Sequence, residues 1–259
     1  MVLGTPDGAR FKPGDQVCAL LGGGGYSELV TVPEGMVLPV PPGLSMVEAA
    51  SLPEVWSTVY LNLQLEAGGI GSGDTLFGQA GASGVGLAAI QFGKLRGARV
   101  VTTVGSAAKA DFVKKFGVDV AVNHHEADIR QVLAQYPPNV ALDCVGGRYM
   151  GECLEKMAFG GRWIMIATLA GDPTNVNLRS MYVRGTRLIG TTLRRRTEEA
   201  KAKLLSDMVS LIWPKVEDGT IRPTIFRVFP IEEAEAAQDL MYSGKSAGKI
   251  VLTVGDREA

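Results

Sequence analysis

From residue 74 onward the chain alternates short apolar runs with helix-like stretches, and this alternation limits the fold more than any other feature. The runs are "DTLFGQ", "RVVTTV", "DVAVN", "NVALDCV", "GRWIMIAT" and "RLIGTTL". Helical patterns fill residues 83–96, 107–116, "ADIRQVLAQ" and 149–157 between them. Short continuous apolar runs suit strands covered on both faces, as in a parallel sheet. Six such runs, most separated by helices, predict an α/β fold with a doubly wound parallel sheet.

The head of this region carries "GQAGASGVGLAAIQ". Its hexapeptide Gly81-Ala82-Ser83-Gly84-Val85-Gly86 lies between the first run and the first helix. A helix N-terminus exposes backbone N–H groups with no intrahelical acceptor, and its polarity favours an anion. In such a unit the first glycine makes the turn, the middle one admits a pyrophosphate and the last allows close helix–strand packing. The spacing is G-x-x-G-x-G, and the plainer reading is an ordinary tight turn. Its place at the head of the alternation favours dinucleotide binding by a Rossmann unit.

NAD-binding units usually carry an acid about 20 residues on, at the end of the second strand, for the ribose 2′-hydroxyl. Here "RVVTTV" ends in Gly105-Ser106, and Lys109 follows. Without a carboxylate to repel it, a 2′-phosphate can be held by Ser106 and Lys109, which favours NADPH. Lys109 can also be read as a solvated lysine, though a cation is slightly unfavourable near a helix N-terminus.

The flanks differ. "DQVCALL" and "YSELVTV" read as strands, followed by short helices in "SMVEAASLP" and "VWSTVYLNLQL". Ser45 and Glu48 have the spacing of a capping box. An amphipathic helix is expected over 197–212, then strand, helix and strand to the end of the chain.

Charge argues against some partners. Lys and Arg total 26 against 27 Asp and Glu, so neither nucleic acid nor an anionic membrane is expected as a partner. Cys18, Cys144 and Cys153 show no metal-ligand spacing, and an odd number suits reduced thiols in the cytoplasm. No signal peptide or membrane-spanning run is read.

Several stretches together resemble the zinc-independent quinone oxidoreductases of the medium-chain dehydrogenase/reductase superfamily, most closely the tumour-suppressor-inducible, zeta-crystallin-like subgroup. They are "FKPGDQV", "YSELVTVPEG", "EAASLPEVWSTVY", "GASGVGLAAIQ", "LDCVGG", "GRWI", "LIGTTLRRR" and "GKIVL". The resemblance implies hydride transfer from NADPH to quinones or other electron-poor carbonyl compounds, without a metal. It implies that Gly81, Ser83, Gly84 and Val85 hold the pyrophosphate and that Ser106 and Lys109 hold the 2′-phosphate. The subgroup often has an Asn-Tyr pair near the adenine; here the pair is Asn123-His124, and His124 reads equally as a surface histidine beside His125. Thr58, Leu169 and Leu193 would flank the nicotinamide, and Lys249 would lie near the cofactor cleft. No catalytic side chain is assigned, Tyr60 being at most a weak candidate. Arg194-Arg195-Arg196 reads either as a solvated helix start or as a contact at the site mouth. A homodimer formed through the edge strand "RLIGTTL" is implied.

By the same resemblance, residues 44–217 form the dinucleotide-binding domain. Residues 1–43 and 218–259 form part of a GroES-like catalytic domain whose first strands are expected to be missing. That leaves a second expectation, an NADPH-binding protein with little or no turnover.

Overall fold

A computed structural model of the chain describes residues 1–255. Residues 256–259, the end of the expected 218–259 segment, lie outside the described residues. In chain order the strands are β1 (Val17–Ala19), β2 (Val37–Pro39), β3 (Thr75–Gly78), β4 (Arg99–Val104), β5 (Val120–Asn123), β6 (Val140–Asp143), β7 (Arg162–Met165), β8 (Arg187–Gly190), β9 (Ile225–Pro230) and β10 (Lys249–Thr253). The helices are α1 (Met46–Ala50), α2 (Pro53–Val59), α3 (Gly84–Leu95), α4 (Ala107–Lys114), α5 (Ile129–Gln135), α6 (Met150–Leu154), α7 (Leu178–Arg184), α8 (Glu198–Glu217) and α9 (Ala234–Tyr242). Two compact units form: Val59–Thr192, and Met1–Thr58 together with the chain from Leu193 onward.

The unit Val59–Thr192 is built on a six-stranded parallel sheet in the order β5-β4-β3-β6-β7-β8. This is the doubly wound Rossmann order, in which the winding reverses between the first and fourth strands. Here the reversal falls between β3 and β6. Leu76 pairs with Val100 and Val140, while Phe77 pairs with Val101 and Ala141, and Ala141 with Trp163. Successive residues of a strand face opposite sides, so these two sets build two different interfaces. The first meets α3, where a Cβ on Gly93 would lie 2.7 Å from Val100 and 3.0 Å from Leu76. The second joins Leu133, Met150, Leu154 and Met157 of the α5–α6 region in one buried cluster. In it the Phe77 and Trp163 rings lie 5.9 Å apart. Each large apolar side chain so enclosed contributes about 1.5–3 kcal/mol relative to exposure.

In the other unit, β1 pairs antiparallel with β2, and β9 pairs parallel with β10 around α9. The expected capping box forms: Glu48 N–H donates to Ser45 Oγ at 3.2 Å, and Ser45 N–H donates to Glu48 Oε2 at 2.9 Å. The strand expected in "YSELVTV" does not form. Residues 26–32 pair with no strand among the described residues, and Tyr26, Leu29 and Val30 remain exposed. Alternation alone does not make a strand without a neighbour to complete its ladder. Helix α8 runs five residues beyond the expected 212. Buried Leu204, Met208, Ile212 and Val216 recur every fourth residue along it, and Trp213 Nε1 donates to Pro39 O at 2.8 Å. That packing carries the helix past Pro214, which removes one backbone bond near its end. Gly35 is needed where α8 approaches, because a Cβ there would lie 2.7 Å from the Ala202 Cβ.

Candidate cofactor site

The turn between β3 and α3 is held by the neighbouring strand β4. Gly81 N–H donates to Thr103 O at 2.8 Å, Ala80 N–H to Thr103 Oγ1 at 3.1 Å, and Thr102 Oγ1 to Gly78 O at 2.6 Å. The residue in left-handed conformation is Ala80, with φ 54°, not Gly81. Such a conformation is uncommon for a non-glycine residue. Gly81 is bare for a different reason: a Cβ there would lie 2.3 Å from Thr102 Oγ1. At Gly86 a Cβ would lie 2.3 Å from Ala80 O, so this glycine lets α3 close on the turn. Ser83 caps α3, its Oγ accepting from Gly86 N–H at 3.0 Å. The N–H groups of Gly84 and Val85 have no helical acceptor at this end. Gly81, Ser83, Gly84 and Val85 therefore sit together as the turn and first residues of one helix, a donor set suited to a pyrophosphate.

A second group lies at the C-terminal ends of β4 and β5. Ser106 caps α4, accepting from Lys109 N–H at 3.2 Å, so its hydroxyl hydrogen remains available to an acceptor. Burial lowers the Lys109 pKa from its ordinary value. Asn123 shapes the loop after β5: its side chain accepts from His125 N–H at 3.2 Å, and its carbonyl accepts from Glu126 and Ala127. His124 N–H donates to Val104 O at 3.0 Å, which ties this loop to the end of β4. The His124 and His125 rings lie 4.1 Å apart. A Cβ on Gly105 would lie 3.6 Å from His124 Nε2 and 3.9 Å from His125 Nε2. Ser106, Lys109, Asn123 and His124 are thus brought together, and His125, not assigned from sequence, joins them.

A third feature escaped the sequence reading. Asp143, at the end of β6, is fully buried. Its Oδ1 accepts from Gln79 Nε2 at 2.8 Å, Val145 N–H at 2.7 Å and Gly146 N–H at 3.0 Å, and its Oδ2 accepts from Trp163 Nε1 at 3.0 Å. Gln79 follows β3, so this bond spans the point where the winding reverses, the place where open α/β sheets bind ligands. Burial pushes the Asp143 carboxyl up and the four donors pull it back. Those four groups present only N–H to it, so the ionised form is the one its surroundings fit. The loop that Asp143 holds continues to Leu169: Leu169 N–H donates to Cys144 O at 3.2 Å, and Ala170 N–H to Val145 O at 2.8 Å. Leu169 itself is exposed.

Thr58, Leu193 and Lys249 belong to the other compact unit. Thr58 is on α2, and Leu193 is buried in the turn before α8. Burial lowers the Lys249 pKa, with the Glu54 carboxylate opposing the shift. Gly248 precedes it with φ 110°, and its Cβ would lie 2.7 Å from Thr224 O. Arg194, Arg195 and Arg196 are exposed in the turn before α8, where Thr197 serves as N-cap. A groove of about 350 Å³ lies between α5 and α6, and Arg130 pairs with Glu152 in its wall at 2.6 Å. Among the described residues, no three His, Cys, Asp or Glu side chains group so as to hold a metal ion, and no helix is long and apolar enough to cross a membrane.

The strand order, the glycine turn and the donors at the ends of β3 and β4 define a nucleotide-binding fold of the Rossmann class. A family model described as zinc-binding dehydrogenase matches residues 84–210. The quinone oxidoreductase of Thermus thermophilus, solved also as its complex with NADPH, is 29% identical with a TM-score of 0.82, over 93% of this chain and 78% of that one. The JamJ enoyl reductase shares the fold at 21% identity, with a TM-score of 0.85 over 98% of this chain and 76% of its own. The highly reducing polyketide synthase easB of Emericella nidulans is 33% identical over 96% of this chain. The chain spans 10% of the length of that synthase. The chain is thus similar to dehydrogenases and reductases of known structure, and the dehydrogenase family model matches just under half of its residues.

Proposed function

We propose that the chain is an NADPH-dependent reductase that passes a hydride to quinones or related electron-poor carbonyl compounds. The observation that carries this reading is the end of β4, where Gly105, Ser106 and Lys109 stand in place of an acid beside the phosphate-binding turn. The N–H groups of Gly84 and Val85 would take the pyrophosphate. The Ser106 hydroxyl and the Lys109 ammonium would take the 2′-phosphate, whose charge opposes the desolvation of Lys109. When bound, NADPH supplies the hydride. The chain's part is to hold the nucleotide along the ends of β3, β4 and β6. A quinone is already electrophilic, so orientation in a dry site can suffice without a Lewis acid.

A second acceptor class is favoured by one observation. The likeness to a polyketide synthase covers 96% of this chain at 33% identity, and the fold is that of an enoyl reductase. An enoyl thioester is a conjugated acceptor of the same electronic kind. The test is NADPH oxidation by the purified chain with a small ortho-quinone and, separately, with a short enoyl thioester. Turnover with the quinone supports the first reading, and turnover with the thioester alone moves the assignment to the second. If neither turns over while NADPH still raises the melting temperature, the chain is a nucleotide-binding protein with little turnover. A homodimer is part of the proposal. Its support is that β8 is an edge strand with Leu188 exposed, and sedimentation equilibrium tests it.

A further inference from the structure

Two neighbouring imidazoles occupy the place beside Gly105 where an acid side chain at the end of the second strand would reach. Both Nε2 atoms lie within 4 Å of the point a Cβ would occupy on Gly105, and the rings lie 4.1 Å apart. The arrangement is built rather than loose. His124 N–H is tied to Val104 O on β4, and His125 N–H to the Asn123 side chain. Ser106 and Lys109 lie on the next turn of chain.

We propose that His124 and His125 form a proton-gated contact to the 2′-phosphate, so that the preference for NADPH over NADH rises as the pH falls. This rests on the reading of the chain as an NADPH-binding protein. The physical basis is mutual. Two imidazoles this close repel each other's charge, and both partial desolvation and His125 lower the His124 pKa from its ordinary value. The free His124 is therefore biased toward its uncharged form. A dianion beside it favours the charged form and raises that pKa. Affinity for the phosphate then grows as pH falls through the bound-state value, and the gain is complete below the free-state value. NADH lacks the phosphate and gains nothing. Charged residues on the segments that flank the pair include Lys109 on α4, and Glu126 and Asp128 on the loop into α5. Asp128 is turned to Arg130 at 2.8 Å, and Glu126 is exposed.

The experiment is a titration of NADPH and NADH binding by nucleotide fluorescence at pH values from about 5.5 to 8.5, on the parent chain and on His124→Gln/His125→Gln. A bound-state rise of one pKa unit corresponds to about a tenfold gain in affinity. The expected result is an NADPH/NADH affinity ratio that rises about tenfold toward acid pH in the parent and is much flatter in the double variant. The 2′-phosphate's own titration is common to both proteins and cancels in that comparison. Both side chains are exposed, so the substitutions leave the core intact, and the melting temperature and circular dichroism of the variant report its integrity. Superimposable profiles overturn the inference and leave the NADPH reading standing. Failure of the parent to bind either nucleotide overturns the NADPH reading, and the inference with it.

Discussion

Gly81 has room for a hydrogen and nothing larger. Gly81→Ala would bring a methyl group to 2.3 Å from Thr102 Oγ1, on a strand that itself holds the turn. Overpacking of this kind costs about 1–3 kcal/mol. The expected outcome is a lower melting temperature and weaker NADPH binding, partly restored by adding Thr102→Ala; no recovery would mean that the strain lies elsewhere. Asp143 gives a test of a different kind. In Asp143→Asn an amide N–H₂ would face the Trp163 N–H, leaving buried donors without acceptors at a cost of about 1–3 kcal/mol. Urea unfolding should show that loss, and Trp163→Phe should cost less in the Asn background than in the parent. Equal costs in the two backgrounds would contradict the assigned charge. The cysteines should be quiet. Burial pushes the Cys18 and Cys153 thiols up to about 12 and the Cys144 thiol up to about 11. Since the thiolate is the reactive form, labelling by a disulfide reagent at pH 8 should be slow in the folded chain and reach all three residues on unfolding.

At the scale of elements, the sequence announced what local pattern controls. The six runs from 74 onward became β3 to β8, and the expected cap at Ser45 is made; Ser83, Ser106 and Thr197, not read as caps from the sequence, cap their helices as well. "YSELVTV" failed because a strand needs a partner, and pairing is not written in seven residues. The glycine turn was legible as a turn, but not the division of labour within it. Ala80 carries the left-handed φ, while Gly81 and Gly86 are bare because Thr102 and the Ala80 carbonyl come close. The bond from Gln79 to Asp143 joins residues 64 apart in sequence, so only the sheet order brings them together. "LDCVGG" was noticed, but nothing local showed that its acid is buried among four donors. His125 could have been found: it adjoins His124 and follows the same strand. One substitution tests this scale. Ser106→Ala removes the acceptor for Lys109 N–H, which should cost about 1 kcal/mol as a lost N-cap. It should also weaken NADPH binding more than NADH binding, because a bare cap loss affects both nucleotides alike. Equal weakening would remove Ser106 from the phosphate contact.

For the whole molecule, the division into Val59–Thr192 and a second unit from both ends of the chain separates what each can be asked to do. The sheet unit holds the glycine turn, the acid-free end of β4 and the buried Asp143. The contacts proposed for the phosphates of the nucleotide all come from residues within it. Thr58, Leu193 and Lys249 lie in the other unit, and the assignment of the first two to the nicotinamide and of Lys249 to the cofactor cleft rests on the resemblance. The central claim, reduction by NADPH in preference to NADH, is tested most directly by steady-state turnover of a small ortho-quinone with each nucleotide under the same conditions. The account predicts turnover with a kcat/KM for NADPH well above that for NADH, and a loss of that difference in Lys109→Ala. Equal use of the two nucleotides, or a preference for NADH, would contradict it.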